Sequence, residues 1–240
     1  MRTLTDNELY KIKTLTENSV ELALIEPTAT GLNKSIMDAT GTVRNYLDLR
    51  HIHDYSSQLQ GPEYKVLIPS YLVDNSQMIK SETSLYRPVT KNGDPRIWFK
   101  GLQKYANAND ILAIVELDGV LYIINITQLD IKALLDDIAI NPLKELVNEI
   151  NKISNEISNE LLKLLKEIAA RGPVPALLNA DTAIGRTLEE LLGIKINSSK
   201  KPDYKGIELK SFRDQRSNRK NLFAQVPNWD LSKFKSSAEI

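Results

Sequence analysis

The sequence predicts an α+β fold with an N-terminal mixed domain of helices and β-hairpins, a long connecting helix and a smaller C-terminal α/β core. The first observation is an Asp118-Gly119 pair between two apolar runs, because such a pair favours the positive φ angles of a tight hairpin. The second is a series of apolar residues from Leu143 to Ile168 at steps of three and four, which indicates one face of a helix.

Residues 1–127 are predicted to form the accessory N-terminal domain, with helices over about 6–24 and about 34–48. The strand-like runs that follow are 64–68, 85–90, 96–99, 111–117 and 120–127. A second turn signal, Asn92-Gly93, indicates a hairpin between the second and third of these strands.

Residues 128–171 are predicted to form the connecting helix. Asn141-Pro142 is a start signal, because a capping residue precedes a proline at the first helical position. Arg171-Gly172-Pro173 ends the periodic stretch. The helix is interpreted as a connector packed on one or both domains, and a two-stranded coiled coil is the alternative interpretation.

Residues 172–240 form the third zone, with a short helix over about 180–192 that ends at Gly193. The strand candidates after it are 194–197, 206–212 and 222–226. The whole chain has zero formal net charge, yet residues 195–240 carry eleven lysines and arginines against five acidic residues. This excess fits a local site for a polyanion, and it also fits a solvated surface.

The composition excludes several classes of site. The chain has no cysteine, so it holds no disulfide, no thiolate zinc site and no cysteine nucleophile. No apolar run approaches the roughly 18 residues that span a bilayer, and the N-terminal residues lack the apolar stretch of a signal peptide. We therefore expect a cytoplasmic protein without a membrane partner.

The segment 202–210 is the strongest candidate for a chemical site. On a strand, Glu208 and Lys210 would point to one side while the apolar residues between and beside them face a core. A bend at Gly206 would bring Asp203 back beside Glu208. Two convergent carboxylates suit Mg²⁺, and a lysine on the same side can position a water or offset charge on a phosphate. The pattern therefore points to metal-assisted hydrolysis of a phosphodiester.

A glutamate and a lysine separated by one residue is a weak pattern by itself. Glu63-Tyr64-Lys65 repeats it with Asp54 upstream, and Asp130-Ile131-Lys132 is a further rival. The proline–aspartate lead, the glycine bend and the basic surroundings favour 203–210 over both.

Gly185 to Gly193 (GRTLEELLG), Pro202-Asp203 and Gly206 to Ser211 (GIELKS) together resemble the core of the PD-(D/E)xK nucleases. Within that superfamily they are most similar to the MvaI/BcnI restriction endonucleases and to the related MutH branch of nicking endonucleases. The resemblance covers about 180–230. It implies that residues 172–240 form the nuclease core, and it favours an accessory DNA-binding role for residues 1–127.

The resemblance implies a role for each matched residue. Asp203 and Glu208 would be Mg²⁺ ligands, Lys210 the catalytic lysine, and Glu189 an auxiliary acidic residue that helps to hold the metal. Glu190 should face elsewhere, because adjacent residues of a helix do not share a face.

The function implied is that of a type II restriction endonuclease that hydrolyses double-stranded DNA with Mg²⁺. The core of such nucleases extends well beyond the thirty residues that follow Lys210. Either this chain is the N-terminal portion of a longer protein, which is the interpretation we favour, or its target recognition is supplied elsewhere. Two alternatives stay open: a MutH-like DNA nicking endonuclease, and a non-catalytic DNA-binding or protein-interaction module.

Two groups of cations are candidates for contact with DNA phosphates or bases. One group follows the catalytic segment and comprises Arg213, Arg216, Arg219 and Lys220. The other lies around the Asn92-Gly93 turn and comprises Arg87, Lys91 and Arg96. For the second group the alternative is a structural hairpin whose Trp98 and Phe99 fill the core.

Overall fold

A computed structural model of the chain describes residues 1–180, 182–194 and 202–212. Within them the chain forms seven α-helices and seven β-strands, which confirms the predicted α+β class. The helices are α1 (Asp6–Glu17), α2 (Ala29–Lys34), α3 (Gly41–Leu49), α4 (Leu102–Tyr105), α5 (Ile131–Asp136), α6 (Pro142–Ala170) and α7 (Ala183–Leu191). The strands are β1 (Ala23–Ile25), β2 (Met37–Asp38), β3 (Val66–Val73), β4 (Met78–Tyr86), β5 (Arg96–Phe99), β6 (Leu112–Leu117) and β7 (Val120–Asn125).

The seven strands form one mixed sheet in the order β1-β6-β7-β3-β4-β5-β2. β3 and β7 are parallel, and the other neighbouring strands are antiparallel. Leu117 pairs with Val120 across the turn between β6 and β7, where Asp118 and Gly119 have φ angles of 51° and 78°. Positive φ at both central positions is the geometry predicted for this hairpin.

Helices cover both faces of the sheet. On one face the buried core combines strand residues with residues of α3 and α4, among them Leu47, Leu72, Leu85, Phe99 and Leu102. On the other face it combines strand residues with residues of α1, α5 and α6, among them Leu15, Val73, Ile124, Ile131 and Leu143. Because β6 is covered on both sides, its first four residues, Leu112 to Val115, are apolar and buried without alternation.

The first predicted helix is shorter than its periodicity suggested. Thr5 and Glu8 form a capping box at the start of α1, and the helix ends at Glu17. Ser19 has a φ of 62°, and the apolar residues of β1 then pair with β6. The prediction of helix up to residue 24 is wrong because strand pairing takes up these apolar residues.

The second predicted helix begins later than expected. α3 starts at Gly41, where the Thr40 hydroxyl accepts a hydrogen bond from the Val43 N–H at 3.4 Å. Part of the predicted span instead forms β2, an edge strand that pairs with β5.

The Asn92-Gly93 turn does join antiparallel strands, as predicted. Tyr86 of β4 pairs with Arg96 of β5, and the connection contains a short 3-10 turn at Lys91–Gly93. Asn92 has a φ of 57° and Gly93 a φ of 71°. The loop is longer than a two-residue hairpin turn.

The predicted connecting helix consists of two helices, α5 and α6. Asn141 caps α6, since its Oδ1 accepts a hydrogen bond from the Lys144 N–H at 3.0 Å, and Pro142 is the first helical residue, as predicted. α6 has 29 residues, which corresponds to a length of about 44 Å. Among the helices of the described residues, none has the length and apolar character that a bilayer crossing requires.

The chain divides into two compact units, Met1–Ser158 and Asn159–Ile240, which are called the N-terminal and C-terminal units below. The boundary lies inside α6. The functional division into 1–127, 128–171 and 172–240 stays a prediction.

In the C-terminal unit α7 confirms the helix expected before Gly193. The predicted strand over 206–212 is wrong for the described residues, where only Tyr204 and Ile207 form an isolated bridge. The Leu209 N–H bonds to the carboxylate of Asp203 and so does not extend the bridge into a ladder. The candidate strand 222–226, and all of 194–197 beyond Ile194, lie outside the described residues.

Candidate functional site

A tight turn at Lys205 and Gly206 organises the predicted site. The two residues have φ angles of 43° and 93°. The Tyr204 N–H donates to the Ile207 carbonyl at 2.9 Å, and the Ile207 N–H donates to the Tyr204 carbonyl at 2.7 Å. Positive φ at both central positions is typical of a type I′ turn, in which glycine fits without strain. The turn reverses the chain at the bend predicted for Gly206.

The reversal brings Asp203 against the far side of the turn. Its Oδ2 accepts a hydrogen bond from the Leu209 N–H at 2.8 Å. Leu209 stands between Glu208 and Lys210, whose carboxylate Oε1 and ammonium Nζ form an ion pair. Asp203, Glu208 and Lys210 therefore lie together on one short, folded stretch of chain.

Lys210 is held in its charged form. The hydrogen bond to Glu208 raises the pKa of Lys210 above its usual value, and the charges of Glu208 and Asp203 act in the same direction. In this arrangement the ammonium donates hydrogen bonds and supplies positive charge, and a base role would first require its deprotonation.

Glu160 of α6 attaches the same turn to the helix. Its Oε2 accepts a hydrogen bond from Lys205 Nζ at 2.6 Å, and its carboxylate also bonds to the Tyr204 side chain. Lys205 first and Tyr204 second lower the pKa of Glu160. Tyr204 is only 8% exposed, and Lys205 Nζ lies 5.6 Å from the centre of its ring.

No sequence pattern pointed to Glu160, because 45 positions separate it from Lys205. An acidic residue on the polar side of a long helix is ordinary. Only the folded chain shows that this one meets the turn.

α7 lies beside the end of the predicted catalytic segment. A Cβ atom added to Gly185 would be 3.5 Å from Ser211 Oγ. Glu189 follows Gly185 by one helical turn and therefore shares its face of α7. It is half-buried, whereas Glu190 is exposed. The auxiliary glutamate expected from the sequence is thus on the side of α7 that meets the segment after Lys210.

Asp203 and Glu208 supply the oxygen ligands that suit a hard cation. Mg²⁺ commonly takes one or two protein carboxylates and completes its shell with water and substrate phosphate. The donor chemistry of this pair fits Mg²⁺. In the part of the chain that the structure describes, no three histidine or acidic side chains are grouped to hold a metal ion, so Glu189 does not join the other two carboxylates in such a group.

The sequence model of the MvaI/BcnI restriction endonuclease family matches residues 162–240. This segment carries the MvaI/BcnI sequence pattern. The match covers about a third of the chain, and it includes α7 and the turn that holds Asp203. The resemblance drawn from the sequence is confirmed for these residues. No curated protein and no solved structure shows a significant match to the chain.

Within the MvaI/BcnI segment, the catalytic and metal-binding roles of Asp203, Glu208, Lys210 and Glu189 stay predictions. The cations expected to contact DNA beside the site lie outside the described residues: Arg213, Arg216, Arg219 and Lys220.

In the N-terminal unit, outside the MvaI/BcnI match, Arg87 is bound to backbone carbonyls. Its Nε donates to the Gly93 carbonyl at 2.8 Å, and its Nη1 donates to the Gln58 carbonyl at 3.0 Å. These hydrogen bonds of the Arg87 guanidinium hold the loop between β4 and β5 in place.

Arg96 also has an intramolecular partner. It forms an ion pair with Asp38 of the neighbouring edge strand, and its side chain is 13% exposed. Phe99 on the same strand is fully buried, as the structural interpretation of the hairpin expects. The position of the Lys91 side chain lies outside the described residues. The role of Arg87, Lys91 and Arg96 in DNA binding stays a prediction.

The two rival triplets outside the MvaI/BcnI segment have local structural roles. In the triplet 63–65, Lys65 Nζ lies 5.2 Å from the centre of the Tyr86 ring. In the triplet 130–132, Asp130 caps α5 by accepting a hydrogen bond from a backbone N–H, and Lys132 pairs with an acidic residue one turn later.

Proposed function

We propose that this chain carries the catalytic site of a type II restriction endonuclease that hydrolyses phosphodiester bonds of double-stranded DNA with Mg²⁺. The observation that supports the proposal best is the tight turn, which places Asp203 beside the Glu208–Lys210 pair inside the segment that matches the MvaI/BcnI family.

Asp203 and Glu208 are the proposed metal ligands, with Glu189 as the auxiliary acid. One oxygen of Asp203 accepts the Leu209 N–H, which fixes the carboxylate and leaves its other oxygen available. When bound, Mg²⁺ would supply Lewis-acid polarisation of the scissile phosphate and a more acidic bound water.

Lys210 is proposed to act through its positive charge. Its raised pKa keeps the ammonium protonated near neutral pH, so it can donate hydrogen bonds to the phosphate or to the attacking water. Charge placed beside a phosphate that gains negative charge stabilises the transition state. Loss of this one lysine should remove cleavage and leave DNA binding nearly unchanged, since many cations share phosphate contact.

Supercoiled plasmid and phage DNA, incubated with Mg²⁺, test the proposal. The parent chain is compared with Lys210→Ala and with Lys163→Ala, which removes a lysine that is exposed on α6. Cleavage by the parent and by Lys163→Ala, with none by Lys210→Ala, is the expected result. Defined double-strand fragments support the restriction endonuclease, whereas nicked circles alone favour a MutH-like nicking activity.

DNA binding of the same variants is measured without a divalent ion. Equal loss of binding and cleavage in Lys210→Ala would contradict the role given to the lysine. Absence of cleavage by the parent with both Mg²⁺ and Mn²⁺ would favour a non-catalytic DNA-binding or protein-interaction module.

A further inference from the structure

Three lysines of the N-terminal unit line one cavity, far along the chain from the segment with the proposed nuclease site. The cavity has a volume of about 550 Å³ and lies between the start of β4, the end of β5 and α4. Lys80, Lys100 and Lys104 line it together with a single acidic residue, Glu82. These four residues are called the lysine pocket below.

The three lysines are exposed. In the described part of the chain none of them has an ion pair or a side-chain hydrogen bond. Other lysines of this unit do have acidic partners one turn away on their helices: Lys13, Lys132 and Lys152. Three positive charges against one negative charge make the pocket locally basic on a chain of zero net charge.

The backbone holds the lysines in place. Lys100 follows β5 directly, and its N–H donates to the Glu82 carbonyl at 3.0 Å, while its own carbonyl accepts the Ser81 hydroxyl at 2.8 Å. Gly101 has a φ of 86° and turns the chain into α4, which carries Lys104. The backbone positions of Lys100 and Lys104 are therefore fixed on either side of the turn at Gly101. The fold itself brings these two lysines to the same pocket.

The buried part of the pocket lining carries no charged side chain. Leu72 is buried there, and the Tyr105 hydroxyl faces inward, within hydrogen-bond distance of the carbonyls of Val73 and Ile123 at 2.7 and 3.0 Å. The charged lining residues are exposed, so several lysine ammoniums can reach separate phosphate oxygens.

We propose that the lysine pocket binds the phosphodiester backbone of double-stranded DNA. A bound anion offsets the mutual repulsion of lysines that the fold holds close together. The DNA backbone presents a regular row of negative phosphates. The identity of the ligand rests on the proposed function, which makes DNA the substrate. Arg87 and Arg96 have partners inside the unit, and the lysine pocket is a second candidate place for DNA contact in this unit.

The test uses the full chain and a short labelled DNA duplex in EDTA, with affinity measured by fluorescence anisotropy from about 50 to about 200 mM salt. The pocket variant is Lys80→Gln/Lys100→Gln/Lys104→Gln. The matched control, Lys13→Gln/Lys132→Gln/Lys152→Gln, removes the same charge from helices of the same unit. Circular dichroism confirms that both variants fold.

The pocket variant should bind the duplex at least about tenfold more weakly at low salt, and its slope of log affinity against log salt should be less steep by about 2 to 3. The control should lose less than about threefold. Equal losses in both variants, or no loss in the pocket variant, would overturn the proposal. Binding of inorganic pyrophosphate by the parent but not by the pocket variant, with equal duplex affinity in both, would also overturn it, in favour of a small-anion site.

Failure of this proposal is separable from failure of the proposed function. A parent that cleaves plasmid while the pocket variant binds DNA unchanged refutes the pocket alone. A parent that cleaves nothing but binds DNA through the three lysines supports the pocket and refutes the nuclease. A parent that does not bind DNA refutes the pocket.

Discussion

The Leu209 N–H donates a hydrogen bond of 2.8 Å to the carboxylate of Asp203, across the turn formed by Lys205 and Gly206. The position of one proposed metal ligand therefore depends on the backbone between Glu208 and Lys210. Changes in the turn should alter the site even when they touch none of the proposed reacting groups.

Gly206→Ala should lower cleavage by about tenfold. Gly206 has a φ of 93°, and a Cβ there would meet no atom within 4 Å, so the effect comes from the backbone conformation alone. An L-residue in this region costs about 1–2 kcal/mol, and about 1.4 kcal/mol corresponds to a tenfold lower ratio of formed to unformed turn. Initial rates of plasmid cleavage measure the effect.

Gly119→Ala is the control for this substitution. It has a φ of 78° and equally open space, but it lies in the β6–β7 hairpin. It should lower stability and leave the cleavage rate of the folded protein unchanged. Gly206→Asn should recover activity, because asparagine tolerates positive φ. Equal cleavage by Gly206→Ala and the parent would refute the dependence on the turn.

Asp203→Asn separates the charge of Asp203 from its hydrogen bond. The amide oxygen can still accept the Leu209 N–H, so the turn should persist, while the lost charge weakens binding of a divalent ion. Cleavage should fall by about 100-fold or more. Calorimetric titration with Mn²⁺ should show the matching loss of affinity.

Glu190→Gln serves as the comparison for Asp203→Asn, since Glu190 is an exposed acid of α7 without an assigned role. It should bind Mn²⁺ and cleave DNA as the parent does. Unchanged Mn²⁺ binding in Asp203→Asn would remove Asp203 from the ligand set.

Glu160 and Lys205 should act as one unit. Glu160→Gln and Lys205→Gln each break the same ion pair, so the double variant should cleave no more slowly than the slower single variant. Lys163→Gln and Glu167→Gln, a pair on the exposed surface of the same helix, should have no effect singly or together. Losses that multiply in the Glu160/Lys205 double variant would show that the two side chains act separately.

Glu8 should make the stability of the N-terminal unit depend on pH. It is 3% exposed, and its carboxylate accepts hydrogen bonds from Arg2 at 2.8 Å and from Thr127 at 2.6 Å. Arg2 first, then Thr127, holds the pKa of Glu8 well below its usual value of 4.5. The stabilisation of the folded state by ionised Glu8 is therefore complete above about pH 4.5. It is lost as the pH falls towards the lower pKa that Glu8 has in the folded protein.

Glu8→Gln should lower the free energy of unfolding by about 2 kcal/mol at neutral pH. Below the usual pKa of a glutamate, the free energy of unfolding of this variant should also fall less steeply with decreasing pH than that of the parent. Urea unfolding followed by Trp98 fluorescence measures both, in a Trp229→Phe background because the chain has two tryptophans. Glu17→Gln, at an exposed ion pair, is the control and should change stability little. An identical acid response in Glu8→Gln and the parent would contradict the assignment.

The sequence predicted those features of the fold that depend only on residues adjacent in the chain. Asp118-Gly119 marks its hairpin because few residues accept positive φ, and Asn141-Pro142 marks the start of α6 because capping acts within one turn. The bend at Gly206 was found for the same reason. The residues of the proposed site were named from the pattern over 202–210 and from the family resemblance, and Asp203, Glu208 and Lys210 are close together in the fold.

Features that depend on contacts between residues far apart in the sequence were not predicted. The apolar residues of β1 continue the helical spacing of α1, and only pairing with β6 makes them a strand. Alternation over 206–212 predicted a strand, but the side chain of Asp203 takes the Leu209 N–H. Glu160 and the lysine pocket join residues that are close only in the folded chain.

The continuity of α6 bears on how the protein can be cut into separately expressed pieces. Its first turns belong to the core of the N-terminal unit, and Glu160, in its second half, anchors the turn that holds Asp203. A C-terminal fragment that starts at the glycine after α6 would lack this anchor. An expression boundary at Asn159 or earlier would retain it.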